Sequence, residues 1–280
     1  MTFSRVSNSK IEPNYYNNVN KIHRQELNKR KDNNIEKQDE FINPALKRGI
    51  LLSSMGGVGI VSAIIAKRQG FSLNPKVIFS QNPKNWAMLK IFNKKNPDAK
   101  LMEIEEKEIL ALAGGSALGG LAGGAVLDDK KYFKGKLRET VNQLLGNVLV
   151  PVICVSGVSH LYDKNKQAIL SYVPQAPGFN SKGILYFNKF LKALPSAFLT
   201  VAGLGVGIVG GNKLSNFINE KIYHKHVERK IKKTDFAPHV DDLSMAVTLM
   251  ADRSALSTAI TRTVPGFLCV PGYQIGIHRD

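Results

Sequence analysis

The chain has 280 residues, 43% of them hydrophobic, and a formal net charge of +17, so it can fill a core and its basic balance points to anionic partners. Two cysteines, Cys154 and Cys269, lie far apart in apolar surroundings without a C-x-x-C spacing, which argues against a disulfide framework or a thiolate metal site and for small buried side chains. The first residues lack the apolar run of a cleavable secretory signal.

Residues 1–48 carry ten Lys or Arg, many Asn and little aliphatic clustering. Such a segment cannot bury enough apolar surface to offset the entropy of ordering, so a disordered basic tail is expected, with a frayed helix near Leu27 to Ile35.

Four runs without Asp, Glu, Lys or Arg follow: 49–66, 109–127, 140–162 and 193–212. At about 1.5 Å per helical residue each reaches roughly 27 to 35 Å, near the ~30 Å of a hydrocarbon core. Charges close the runs, with Lys47 and Arg48 before the first, Lys67 and Arg68 after it, Asp128 and Asp129 after the second, Asp163 and Lys164 after the third, and Lys192 and Lys213 around the fourth. A charge at mid-bilayer costs roughly 2.5 kcal/mol or more, which is why spans end in this way. The runs are rich in Gly, Ala and Ser and the mean hydropathy is only −0.13, so a soluble bundle of buried helices is the competing architecture.

Within the first run Ser53 and Gly57 are four residues apart; in the second, Gly115, Gly119 and Gly123 form one row and Gly120 with Gly124 the next. Gly203, Gly207 and Gly211 line the fourth. Small residues at this spacing let two helix backbones approach closely, a glycine-zipper arrangement. Pairing between the second and fourth spans is expected on those rows.

The segment between the first two spans holds Asn-Pro at 74–75, 82–83 and 96–97, read as turns or helix starts, and "NWAMLKIFNKK" over 85–95, read as a short helix on the membrane surface anchored by Trp86. The third run differs from the others in carrying Asn147, Pro151, Ser156 and His160. A kink is expected at Pro151, with a freed carbonyl that needs a partner, and these four residues are the candidates for lining a pathway.

The fourth run contains Gly205, Gly207 and Gly210 in the spacing of a dinucleotide fingerprint. The fingerprint also requires a strand before, an amphipathic helix after and a second strand ending in an acid. A polar basic helix over 218–233 follows here instead, so the match is read as coincidence. Further on, Asp241 or Asp242 is expected to cap an amphipathic helix using Leu243, Val247, Met250 and Ile260, and "VPGFLCVPGYQIG" is too rich in Pro and Gly for a fifth span.

The residues most like metal ligands are His224, His226, His239, Asp241 and Asp242. Helical positions i and i+2 point about 200° apart and cannot share an ion, so this signal is weak. No nucleophile elbow, phosphate loop or zinc-protease motif is present, and no groove-reading or base-stacking motif supports nucleic acid.

The expected fold class is therefore all-α: a four-span helical membrane protein with glycine-zipper packing, a disordered basic tail over 1–48, a membrane domain over 49–212 and a basic and amphipathic helical region over 213–280. The expected role is non-catalytic, without cofactor, with helix packing or self-association into a homo-oligomer and contact with anionic lipid. A passive channel or small-solute carrier lined by the third span is the alternative, and a membrane-bound metal enzyme a further one. With the amino terminus inside, 25 basic residues fall inside against 14 outside, so both termini are expected in the cytoplasm.

Overall fold

The computed structural model describes residues 42–177, 181–224, 229–240 and 255–279. The expected tail helix near 27–35, most of the helix expected after Asp241, and the ligand candidates His226, Asp241 and Asp242 lie outside them. The described chain is helical, with no strand among the described residues. Among the described residues, four helices are long and apolar enough to cross a membrane: Pro44–Arg68, Glu106–Leu127, Lys130–Ser171 and Lys182–Lys221.

Local chemistry sets the ends of the first. Helix α1, Pro44–Arg68, starts with Asn43 accepting a hydrogen bond from the Ala45 amide at 2.9 Å and with Pro44 in the first turn, where its missing N–H costs nothing. It stops at Gly70, φ +80°, where the Gly70 amide bonds the Lys67 carbonyl and the Phe71 amide bonds the Ala66 carbonyl. This is a Schellman closure, which needs a residue free to adopt left-handed backbone. Asn74 and Asn82 likewise cap the turns begun by Pro75 and Pro83, the first of them opening the short helix α2, Pro75–Ser80.

The 85–95 segment is a turn and an extended stretch, not the expected helix. Its polar groups are taken by other partners: Trp86 Nε1 donates to the Ile78 carbonyl, Arg262 Nε to the Lys90 carbonyl, and the Phe92 amide to Thr258 Oγ1. Those tertiary bonds replace the local ladder that a helix would need.

Helix α3, Glu106–Leu127, returns antiparallel to α1, with Gly49 against Leu127 at one end, Ser53 donating to the Gly119 carbonyl at 2.7 Å further in, and Arg68 paired to Glu108 at the other end. The third span is longer than the uncharged run suggested. Helix α4, Phe133–Val141, continues through a π-helical stretch, Asn142–Leu149, into α5, Val150–Ser171. Helix α6, Lys182–Lys221, runs back along it for 40 residues.

The basic helix expected over 218–233 ends at Lys221 and gives way at Lys233–His239 to a 3-10 segment. The closing Pro- and Gly-rich stretch is helical: after α7, Ala255–Thr261, come α8, Val264–Phe267, and α9, Cys269–Ile277, with Leu268 and Ile275 fully buried. One apolar cluster joins Val58, Leu112, Ala113, Val148, Val264 and Leu268; a second joins Val155, Leu204 and Ile208 between α5 and α6.

Candidate functional site

The glycine rows meet different partners from those expected. A β-carbon at Gly57 would fall inside contact distance of the Gly115 carbonyl, and one at Gly119 inside that of the Ser53 carbonyl, so the first row of α3 faces α1. Gly123 also faces α1, with Ser53 Cβ 2.6 Å from its ideal β-carbon position. The second row of α3 faces the carboxy-terminal helix: Gly120 abuts the Gly272 carbonyl, and Gly124 stands 2.8 Å from the Gly276 carbonyl by the same construction. Gly203, Gly207 and Gly211 face Val158, Pro151 and Gly146 of the third span. The expected pairing of the second and fourth spans is thus replaced. Each row is already filled by its sequence neighbour in space or by α9, which leaves no face for the other.

The third span carries the polar centre. Proline 151 has no N–H to give the carbonyl of Asn147, four residues earlier, and the helix widens into its π-helical stretch just before that point. His239 supplies the missing proton, with Nε2 donating to the Asn147 carbonyl at 2.7 Å. The side chain of Asn147 donates to Gln143 Oε1 at 2.8 Å and to Asp235 Oδ1 at 2.7 Å. Gln143 in turn donates to Glu139 and to Gln274 of α9.

An ion pair completes the cluster. Arg229 Nη2 and Nη1 reach the two oxygens of Asp235 at 2.8 and 3.2 Å, the bidentate geometry that suits a guanidinium. Asp235 also accepts from the Lys232 amide, and Arg229 Nη1, besides reaching Asp235, donates to Asn147 Oδ1 and to Asn212 Oδ1. The Asp235 side chain is 1% exposed, so the charge is desolvated and held by four donors. Nearby, Asn142 donates to Asn219 at 3.3 Å, while Asn142 Oδ1 is buried without a hydrogen-bond partner among the described residues.

The depth of this cluster follows from its neighbours. Lys136 packs against Gly124 and Ser156 bonds Glu106, so Asn147, about half-way between, lies beside the middle of α3. Val148 accordingly shares its cluster with Leu112 and Ala113.

Of the four pathway candidates Pro151 packs against Gly207 of α6, and Asn147 is bonded to Gln143, Asp235, Arg229 and His239. Ser156 bonds Glu106 instead, and His160 is exposed. Of the metal candidates, His239 is committed to Asn147, and His224 is exposed beyond the end of α6 with φ +51°. Among the described residues no group of three His, Cys, Asp or Glu is placed to hold a metal ion.

Arg229, Asp235, Gln143 and Gln274 were missed from sequence because they sit in polar stretches or single polar positions whose company is set by tertiary contact. The available signal was the helical spacing of Asn212, Asn216 and Asn219, which puts three amides on one side of the fourth helix.

A second buried charge lies where α3 ends. Lys136 Nζ is fully buried and donates to Asp128 and to the Gly276 and His278 carbonyls at the end of α9. Arg279 pairs with the same carboxylate at 2.7 Å. Burial raises the Asp128 pKa, but the hydrogen bonds from Arg279 and Lys136 outweigh it and hold the carboxyl below its ordinary value.

Comparison of the chain with protein-family models, with curated proteins and with solved structures returns no match.

Proposed function

We propose that this chain is a non-catalytic integral membrane protein whose glycine-lined helix faces pack a four-span bundle. The observation that carries the reading is the inversion of its surface. Leu52, Ile60, Leu118, Phe198 and Val206 are each more than 60% exposed, while Ser54, Ser116, Asn142, Asn147 and Ser215 are buried. Water would favour the reverse, whereas hydrocarbon gains nothing from hiding aliphatics and much from enclosing amides and hydroxyls. The glycine rows, being filled within the chain, support helix packing more than self-association, which is left to open glycines such as Gly205.

The basic tails fit anionic headgroups, and the distribution of Lys and Arg supports both termini on the cytoplasmic side. Alkaline carbonate extraction of membranes tests integration, and protease access to tags at the two termini tests orientation. Release of the chain into the supernatant overturns the reading.

One observation favours a second reading, a passive pathway for a small polar solute. The Arg229–Asp235 pair and Asn147 lie beside the middle of α3, and ionisable groups at membrane depth commonly mark such pathways. Liposome flux that disappears on Asn147→Leu while the protein stays folded is the result that would select it.

A further inference from the structure

Between the outer face of α1, the 71–90 segment and the turn at α8 lies a cavity of about 700 Å³. That volume falls within the ~300–1,000 Å³ of small-molecule sites. Its deep wall is aliphatic, with Met55, Val58, Gly59 and Ala63 from the middle of the first span and Cys269 from α9. From Met55 to Ala66 the helix rises roughly 16 Å, so the cavity follows the span from its interior toward its charged end. The other wall comes from the interhelical segment and adds Trp86 together with polar groups of Ser72, Gln81, Asn85 and Lys90. Trp86 is fixed there by its hydrogen bond to the Ile78 carbonyl at 2.9 Å.

Charge is arranged to match. From residue 69 to residue 97 the chain carries Lys76, Lys84, Lys90, Lys94 and Lys95 and no acid. Lys90 lines the cavity itself, and Lys76 and Lys84 adjoin the lining residues Val77 and Asn85. Met55, at the deep end of the lining, is 50% exposed, so that end is open to whatever surrounds the spans.

We infer that this cavity holds one acyl chain of an anionic phospholipid. The chain lies along α1 against Gly59 and Ala63, and the phosphate sits over the lysines of the 71–90 segment. Apolar burial along α1 supplies retention, and the lysines supply preference for negative charge. This assignment rests on the membrane reading above and names one lipid site within it.

Two glycines make the test clean. A β-carbon at Gly59, which lines the cavity, meets nothing within 4 Å, so a Gly59→Phe side chain starts in open space; Gly56 is equally open and does not line it. Wild-type and variant proteins are reconstituted in phosphatidylcholine nanodiscs doped with phosphatidylglycerol, extracted with detergent, and weighed by native mass spectrometry. Wild type and Gly56→Phe retain phosphatidylglycerol as a single-copy adduct. Gly59→Phe loses it about tenfold, and Lys84→Gln with Lys90→Gln abolishes the preference over phosphatidylcholine. Equal retention by Gly59→Phe, or no preference for the anionic lipid in wild type, overturns the site while the protein still enters the discs. Failure of the wild type to enter discs overturns the membrane reading, and the site with it.

Discussion

Two glycines on neighbouring helices, Gly56 of α1 and Gly120 of α3, have opposite prospects. At Gly56 an added methyl meets open space, and alanine is the better helix former by about 0.5–1 kcal/mol, so Gly56→Ala is neutral or stabilising. At Gly120 the methyl would meet the Gly272 backbone, which cannot yield as a side chain would. Gly120→Ala is expected to cost roughly 1–3 kcal/mol. Melting of the two purified variants in the same detergent checks the pair, and equal melting temperatures would contradict the packing. Asp128 carries a pH-dependent contribution of definite sign. Its folded pKa lies below the unfolded one, so its stabilisation is complete above the ordinary carboxylate range and is lost as pH falls through the lowered value, below about 4. Thermal melts across acid pH should show that limb, and Asp128→Asn should remove it. The same variant leaves buried Lys136 without its countercharge, at a cost of about 3–5 kcal/mol at neutral pH.

The third span shows how a local defect becomes a tertiary joint. Proline in a helix frees a carbonyl, and here the proton comes from His239, more than 80 residues away in sequence. Restoring the N–H with Pro151→Ala gives the Asn147 carbonyl a local donor, so His239→Phe should hurt the wild type by roughly 1–3 kcal/mol and the Pro151→Ala background by less. A double-mutant cycle read by thermal melting measures that coupling, and additivity of the two changes would sink the account. The need for a partner at this carbonyl was readable from Pro151 alone. Its identity was not, because nothing in local spacing distinguishes His239 from other donors of the carboxy-terminal region.

For the bundle, the decisive element is the last. Helix α9 fills the groove that the second glycine row of α3 opens, Ser116 Oγ receives its Gly272 amide at 3.0 Å, and Ser54 Oγ donates to the Cys269 carbonyl at 2.8 Å. Lys136 closes its carbonyl end. Truncation before Val264 therefore exposes Ser54, Ser116 and Lys136 together, and the shortened chain is expected to lose its monodisperse profile on size-exclusion chromatography in detergent. An unchanged profile and melting temperature would show that α9 is dispensable to the bundle.

The existence and rough place of the four long apolar helices, their glycine rows, the Asn-Pro turn starts and the carbonyl freed by Pro151 were all written in local order, because period, charge and proline chemistry act within a few residues. Pairing was not, since a glycine row states only that another backbone can come close and several rows of equal quality compete for each other. Contact geometry chose α1 and α9 for the second span and the third span for the fourth. It also drew Arg229, Asp235 and His239 into the bundle, where low dielectric makes each unpaired group costly and so selects the one arrangement in which the ion pair, the amides and the freed carbonyl are matched.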